Sequence, residues 1–178
     1  MNRIISGEAR GRKIKVPPEG TRPTSDRARE GLFSSLQVRF GFVDKRVLDL
    51  FAGSGALGLE ALSRGAARVA FVDDGAAARA LLRANVEKAR AMGVTDIWRR
   101  DATDLGPNRG AGYDLVFLDP PYALGLGERA IASALASASS RARGRHSEAA
   151  EASPRTTTSP SATNRPWRPV RSRSRMSR

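Results

Sequence analysis

The sequence predicts an α/β protein with a mostly parallel sheet, and three observations indicate this class. Between residues 45 and 138, four short apolar runs alternate with helical patterns. The runs are mostly apolar and do not alternate with polar residues, which is typical of parallel strands that are covered on both faces. A glycine-rich turn joins the first run to the first helical pattern, as in a strand–turn–helix unit. We therefore expect one sheet, covered on both faces, at the centre of the chain.

A basic extension precedes this sheet and contains both glycine and proline. Residues 4–5 and 14–16 are apolar and flank Gly7 and Gly11, a pattern typical of a short β-hairpin. Two prolines at residues 17–18 end it. The extension therefore begins with a predicted hairpin.

A helix is predicted after the hairpin. Thr24 or Ser25 can cap it by accepting a hydrogen bond from its first turn, which begins at Asp26. Its apolar stripe consists of Leu32, Phe33 and Leu36.

Four strands and three helices are predicted in the core. The strands are residues 47–51, 68–72, 97–101 and 114–118. The helices are residues 57–64, residues 76–92 and a last pattern that ends near Ala138. In the second of these helices, Leu81, Leu82 and Val86 face inward.

Composition divides the chain into an extension at residues 1–44, a core at 45–138 and a tail at 139–178. The tail is rich in Ser, Arg, Pro and Thr. Such a segment cannot bury enough apolar surface to offset the entropy of ordering it, so we predict that the tail is disordered.

The composition excludes several kinds of catalytic site. The chain has no cysteine, which rules out disulfides, thiolate catalysis and cysteine-ligated metals. Its single histidine, His146, lies in the tail, so neither a Ser-His-Asp triad nor a multi-histidine metal site can form. We therefore expect no metal site.

The net charge of +13 is unevenly distributed along the chain. Ten arginines and two glutamates give the tail +8, so residues 1–138 carry +5. A polyanionic partner is consistent with this charge.

The chain has no segment that predicts a membrane location. Its longest run without a charged residue, residues 130–140, has eleven residues. A membrane-spanning helix needs about 20. The first ten residues lack the apolar segment of a secretory signal. We expect no membrane partner and a cytoplasmic protein.

A literal G-x-G-x-x-G pattern, residues 53–58, lies between the first core strand and its helix. Glycine lets the backbone turn with positive φ and approach a ligand closely. The pattern alone leaves three interpretations open: a dinucleotide site, an adenosyl cofactor site and a tight turn without a ligand.

Asp73 ends the second strand, twenty residues after Gly53. An acid at this distance from a glycine turn can bind ribose hydroxyls. The alternative role for Asp73 is to cap the following helix, for which Asp74 is the better placed residue.

The most informative motif is Asp119-Pro120-Pro121-Tyr122, which follows the fourth strand. Ligands of open α/β sheets bind at this rim. The prolines fix the direction of the Asp119 carboxylate and the Pro120 carbonyl, two acceptors that suit an NH₂ donor. Tyr122 offers a flat surface for a planar base. A rigid turn without a ligand is the alternative.

Together these residues resemble the Rossmann-like S-adenosylmethionine-dependent methyltransferases, and most closely the bacterial 16S ribosomal RNA guanine-N2 methyltransferases of the RsmD type. The resemblance rests on residues 3–7 (RIISG), 10–12 (RGR), 22–33 (RPTSDRAREGLF), 47–58 and 114–122. It covers about two-thirds of the chain, and the segment at residues 22–33 is the most specific to this family.

The resemblance implies a role for each motif. The methionine part of S-adenosyl-L-methionine would be held by Asp49, Phe51, Ala52, Gly53, Ser54 and Gly55. Asp73 would bind the ribose, and Asp101 and Ala102 would contact the adenine. The flipped guanine would be received by Asp119, Pro120, Pro121 and Tyr122. The family usually has glutamate where this chain has Asp73.

The resemblance also implies partners. Phosphates of 16S ribosomal RNA, within the small ribosomal subunit or its assembly intermediate, would be contacted by Arg10, Arg12, Lys13, Arg22, Arg27 and Arg29. A monomer is expected. Three alternatives remain: an adenine-N6 methyltransferase, a catalytically dead RNA-binding remnant and a nicotinamide-dependent dehydrogenase.

The chain departs from the family after residue 138. In the family the sheet continues with three more strands, whereas the tail here has no apolar run of four residues. Two explanations remain, a frameshifted C-terminus and a genuine basic RNA-binding tail. In either case the strand at residues 116–118 becomes an exposed edge, from which we predict low solubility and a loosened pocket.

Overall fold

The computed structural model describes residues 2–16, 26–108, 110–121 and 125–148. In chain order, the elements are β1 (Asn2–Arg3), β2 (Lys13–Ile14), α1 (Asp26–Arg39), β3 (Arg46–Leu50), α2 (Ala56–Ser63), β4 (Arg68–Val72), α3 (Ala76–Ala89), β5 (Thr95–Trp98), β6 (Leu115–Leu118) and α4 (Leu126–Glu148). A short 3-10 helix, Met92–Val94, connects α3 to β5.

Four parallel strands form the central sheet in the order β5-β4-β3-β6. The predicted α/β class is therefore confirmed. The register aligns Leu50, the last residue of β3, with Val72 on one side and Leu118 on the other. Because the strands are parallel, the segments that follow them begin at the same edge of the sheet. The order of the strands thus brings the predicted motifs after β3, β4 and β6 together.

Each strand places alternate residues on opposite faces of the sheet. The first face packs against the N-terminal segment, α1, α2 and α3, and its buried strand residues include Val47, Val69, Phe71 and Phe117. The second face packs against α4 and the segment after β5, and its buried strand residues include Leu48, Leu50, Ala70 and Val72. Both faces are covered, as the apolar runs predict.

The predicted N-terminal hairpin is present and begins two residues earlier than expected. β1 and β2 are antiparallel, and Asn2 pairs with Ile14. The hairpin loop lies directly against the last turn of α2. A Cβ at Gly7, where φ is +83°, would stand 1.8 Å from the carbonyl oxygen of Ser63, so no larger residue fits. The extension is therefore packed onto the core.

Helix α1 differs from its predicted apolar stripe at one position. Phe33 is fully buried and Leu36 packs against the same core, but Leu32 is 44% exposed. The two predicted caps, Thr24 and Ser25, lie outside the described residues.

Two predicted boundaries in the core are wrong. α3 ends at Ala89 and not at Met92, because Arg90 adopts a left-handed conformation and its N–H bonds to the Glu87 carbonyl. β5 is Thr95–Trp98 and not residues 97–101, because its partner β4 ends at Val72, opposite Trp98.

The last helix crosses the predicted start of the tail. α4 continues to Glu148, ten residues beyond the predicted end near Ala138. This stretch contains no proline and one glycine, so nothing in it breaks a helix. Residues 139–148, which composition assigns to the tail, continue α4, and residues 149–178 lie outside the described part of the chain.

β6 forms the edge of the sheet among the described residues, as predicted. Val116, in the middle of this strand, is 44% exposed. In the part of the chain that the structure describes, no helix has both the length and the apolar composition to cross a membrane.

Candidate active site

The predicted motifs converge at the carboxyl edge of the sheet. The glycine turn follows β3, Asp73 follows β4, and Asp119 follows β6. β3 lies between β4 and β6, so the glycine turn is central, with one carboxylate on each side. The fold therefore forms one site from three segments that are far apart in the sequence.

The glycine turn has a conformation that requires glycine. Phe51, Gly53 and Gly55 all have positive φ. The N–H of Gly55 donates to the Ala52 carbonyl at 2.7 Å, which closes the turn. A Cβ on Gly55 would lie 2.4 Å from Cδ1 of Leu82, so a larger residue there would have to move the Leu82 side chain and would also strain the backbone.

Asp73 fixes the glycine turn from the neighbouring strand. One carboxylate oxygen accepts a hydrogen bond from the Gly53 N–H and the other accepts from the Gly75 N–H, both at 2.9 Å. A carboxylate offers about four acceptor positions, so these two bonds leave capacity for a ligand's hydroxyls. The N-cap of α3 is Gly75, with no side-chain hydrogen bond, so neither Asp73 nor Asp74 caps the helix.

Asp49 lies beneath the turn and is 1% exposed. Its register places it between Phe71 and Phe117 on the first face of the sheet. Its carboxylate accepts one hydrogen bond from the Gly58 N–H at 2.9 Å, which connects β3 to the first turn of α2.

The electrostatic state of Asp49 follows from this burial. Loss of hydration raises the pKa of Asp49 to about 8; the Gly58 hydrogen bond opposes the rise, and the charges of Asp119 and Asp73 add to it. Asp49 therefore holds a proton readily while the site contains no cation.

Asp101 and Ala102, predicted to contact adenine, follow β5. Asp101 is exposed and accepts hydrogen bonds from the N–H and the hydroxyl of Thr103, both at 2.7 Å. These bonds lower the pKa of Asp101. Ala102 is 3% exposed and packs with Leu50 and Val72, so its segment is fixed against the second face.

The segment after β6 presents its acid to solvent. Asp119 is exposed, Pro120 is half-buried and Pro121 is exposed. The Pro120 ring lies against the first turn of α4, 3.6 Å from where a Cβ on Gly127 would stand. Tyr122 lies outside the described residues.

The predicted phosphate contacts differ in how exposed their side chains are. Arg10, Lys13 and Arg27 are exposed. Arg12 donates from its guanidinium to the Ala89 carbonyl at 3.0 Å, where it caps the end of α3. Arg22 lies outside the described residues.

Arg29 does not fit its predicted role on the RNA surface. It is 1% exposed, and its Nη2 donates at 2.7 Å to both the Asp26 carboxylate and the Arg3 carbonyl. Its side chain therefore holds α1 against the hairpin. The sequence pattern placed Arg29 among exposed arginines because alternating charges hide which face of a helix is inward.

Three buried polar residues that sequence patterns do not single out lie behind the extension, and two of them, Glu60 and Ser63, attach it to α2. Glu60 is fully buried and accepts hydrogen bonds from the N–H groups of Ile5 and Ser6 at 2.7 and 3.1 Å. The Ser63 hydroxyl accepts from the Ala9 N–H at 2.9 Å and donates to the Ser6 carbonyl at 2.5 Å. The available signal was a polar side chain on an otherwise apolar helix face.

Asn85 is the third of these residues. It is 3% exposed on α3, next to the buried residues Leu82 and Val86. Its side-chain amide bonds to the backbone of Lys15 and to the Ser54 carbonyl in the glycine turn.

Comparisons with known proteins agree with this geometry. The family model described as "Conserved hypothetical protein 95" matches residues 2–142. "Ribosomal RNA small subunit methyltransferase D" of Escherichia coli strain K12 is 44% identical over 130 residues, which are 72% of this chain and 64% of that protein. "Putative rRNA methyltransferase YlbH" of Bacillus subtilis strain 168 is 40% identical over 124 residues, 67% of this chain and 66% of that protein.

A solved structure shares the fold. The putative methyltransferase yhhF from E. coli aligns with a TM-score of 0.64 at 44% identity, over 73% of this chain and 70% of that chain. The chain thus spans just under two-thirds of the length of the E. coli curated relative. It belongs to the family described as conserved hypothetical protein 95, the RsmD family of Rossmann-like methyltransferases that its motifs resemble.

Proposed function

We propose that this chain transfers a methyl group from S-adenosylmethionine to the exocyclic N2 amine of a guanine in 16S ribosomal RNA. The observation that carries the proposal is the convergence of the glycine turn, Asp49, Asp73 and Asp119 at one edge of the sheet. The relatives named as ribosomal RNA methyltransferases support methyl transfer to ribosomal RNA.

The residues at this edge fit the cofactor. Gly53 has a positive φ, and a Cβ there would meet only the Phe51 carbonyl at 3.9 Å, so the space beside this part of the backbone is open to a ligand. Asp73 and Asp119 place negative charge around the turn, opposite in sign to a sulfonium, and a sulfonium beside Asp49 would favour its ionised form. When bound, S-adenosylmethionine supplies a methyl group on a positively charged sulfur. It would be held by the turn at residues 51–55, with Asp49, Asp73, Asp101 and Ala102.

The target amine would be oriented by the segment after β6. A guanine N2 amine is a poor nucleophile because its lone pair is delocalised into the ring. The Asp119 carboxylate and the Pro120 carbonyl would each accept one N–H, which fixes the amine and favours positive charge on its nitrogen. Asp119 or water accepts the proton that the amine loses, so no histidine is needed. The base must first leave its stack, at a cost of a few kcal/mol.

The RNA would approach across the N-terminal extension. Arg10, Lys13 and Arg27 are the predicted phosphate contacts that the structure places at the surface. We propose that the substrate is the small ribosomal subunit or its assembly intermediate and that the enzyme acts as a cytoplasmic monomer.

The test is methyl transfer from radiolabelled S-adenosylmethionine to unmethylated small subunits and to naked 16S RNA, followed by nucleoside analysis. The proposal predicts label in N2-methylguanosine. Label in N6-methyladenosine would instead assign the Asp119 segment to an adenine amine. RNA binding without transfer would identify a catalytically dead chain.

Asp119→Asn is the matched variant for this assay. It preserves the shape of the side chain but removes the charge that favours the developing ammonium. We expect a rate loss of about 100-fold, typical of one removed electrostatic contact in a transition state. Because Asp119 is exposed, the thermal midpoint should not change.

A further inference from the structure

One side chain connects the N-terminal hairpin to the glycine turn. The Oδ1 of Asn85 accepts a hydrogen bond from the Lys15 N–H, and its Nδ2 donates to the Lys15 carbonyl, both at 2.9 Å. The same Nδ2 donates to the Ser54 carbonyl, also at 2.9 Å. A primary amide has two N–H donors, so both are engaged here.

The bond to Ser54 lies in the middle of the glycine turn. On one side of Ser54, the Gly53 N–H is held by Asp73. On the other side, the Gly55 N–H is held by Ala52. The Ser54 carbonyl and the Gly55 N–H belong to the same peptide group, so Asn85 and the Ala52 carbonyl hold one peptide at its two ends, and its orientation depends in part on α3.

The bonds to Lys15 give Asn85 its connection to the hairpin. Lys15 immediately follows β2, which contains the exposed Lys13. The exposed Arg10 lies in the hairpin loop before β2. Asn85 is 3% exposed, so water cannot readily replace any of its three partners. If the hairpin shifts, Asn85 either loses its hydrogen bonds to Lys15 or moves with the hairpin. Both changes alter its bond to the Ser54 carbonyl.

We propose that Asn85 is a positioning residue that couples the docking of the N-terminal hairpin to the shape of the cofactor turn. Because coupling between two sites is reciprocal, RNA held by the hairpin would tighten cofactor binding and the cofactor would tighten RNA binding by the same factor. The expected factor is about 5-fold or more. The two ligands in this inference, RNA and S-adenosylmethionine, rest on the proposed function. The hydrogen-bonded link through Asn85 does not.

The test compares Asn85→Asp with Ser63→Ala. Asn85→Asp keeps the acceptor for the Lys15 N–H but replaces both donors with an oxygen that repels the two carbonyls. Ser63→Ala removes hydrogen bonds that attach the same hairpin to α2, and these bonds do not involve the turn. It is therefore the control for simple loosening of the hairpin.

Amide hydrogen exchange is measured first, without any ligand. The inference predicts faster exchange at Gly53 and Gly55 in Asn85→Asp, with parental rates at both glycines in Ser63→Ala. Equal rates in all three proteins would overturn it, as would an equal increase in both variants. Because this measurement needs no cofactor, it separates failure of the inference from failure of the proposed function.

Calorimetry then measures the dissociation constant for S-adenosylmethionine with and without a 16S RNA fragment. The parent and Ser63→Ala should bind the cofactor at least 5-fold more tightly when RNA is present. Asn85→Asp should bind it about tenfold more weakly, with the RNA effect reduced to less than 2-fold. Retention of the full RNA effect in this variant would contradict the coupling.

If Asn85→Asp does not fold, the parent alone provides a second measurement. Addition of S-adenosylmethionine should slow exchange of the Lys15 amide, which is not part of the cofactor turn. An unchanged rate at Lys15, with cofactor bound, would overturn the inference.

Discussion

The two faces of the sheet differ in how they are packed. The first face is covered by the hairpin and three helices, and four phenylalanines, Phe33, Phe42, Phe71 and Phe117, are at most 6% exposed there. The second face is covered by α4 and the segment after β5. Here a cavity of about 790 Å³ opens beside Trp98, Tyr113 and Val116.

This difference separates the two halves of the proposed site. The G-x-G-x-x-G segment is held from the first face, where the buried Asp49 bonds to Gly58 and the buried Asn85 bonds to Ser54. The segment that would receive the target base follows β6, the edge strand beside the cavity. We therefore expect the cofactor half to be rigid and the base-binding half to depend on how the second face is completed.

The largest effect is expected from Phe33→Ala on the first face. Phe33 is fully buried, and its ring centroid lies 5.3 Å from those of Phe42 and Phe117. Its loss should lower the free energy of unfolding by about 3–5 kcal/mol, measured by urea denaturation. Val38→Ala, at an 87% exposed position of the same helix, is the control and should cost little. A loss below about 1 kcal/mol at Phe33 would refute the tight packing of this face.

A matched pair of leucines compares the two faces directly. Leu59 on the first face is 2% exposed, and Leu105 on the second is 5% exposed. Leu59→Ala should fall near the upper end of about 2–5 kcal/mol and Leu105→Ala near the lower end, because Leu105 lines the cavity of the second face and a loop beside a cavity can collapse more easily. Urea denaturation of both variants gives the comparison. An equal or larger cost at Leu105 would show that the faces do not differ.

Asp49 should control how the free energy of unfolding depends on pH. Its pKa is about 8 in the folded chain against 3.8 in the unfolded one. Between these values the folded state binds more protons, so the stability of the free protein falls as pH rises from about 4 to 8. Asp49→Asn cannot ionise and should lose this slope, which makes it the more stable protein above pH 8. Urea denaturation of the parent and of Asp49→Asn from pH 5 to 9 measures the two pH profiles of stability. Parallel profiles would contradict the burial of Asp49.

The smallest effect is expected at the Arg68–Asp96 ion pair on the second face. The guanidinium donates to both carboxylate oxygens, at 2.7 and 2.8 Å, but the side chains are 40% and 35% exposed. Asp96→Asn should therefore cost only about 0.2–1 kcal/mol, and less at high salt. Thermal unfolding at two ionic strengths would test this, and a larger cost that salt does not reduce would indicate a more buried pair.

The sequence predicted the sheet and the positions of the acids because both depend on local patterns. Continuous apolar runs specify covered parallel strands, and residues that follow such strands share one edge. The carboxyl edge was therefore predicted to contain the turn at residues 51–55, Asp73 and Asp119, and the structure has all three there.

Other features depend on contacts between distant segments, which local patterns do not contain. Arg29 was predicted at the surface but is buried against the Arg3 carbonyl, 26 residues away. Asn85 bonds to Lys15, 70 residues away. Helix ends were also missed, because Arg90 ends α3 through a backbone conformation that its side chain does not predict.

The central claim is that the glycine turn and the buried Asp49 beneath it build a working cofactor site, and calorimetric titration of S-adenosylmethionine at pH 8 tests it most directly. We predict saturable binding to the parent chain and binding at least tenfold weaker in Asp49→Asn. Since that variant should be no less stable than the parent at this pH, weaker binding could not be attributed to unfolding. A parent that melts cooperatively but binds no cofactor, or equal affinity in both proteins, would contradict the claim.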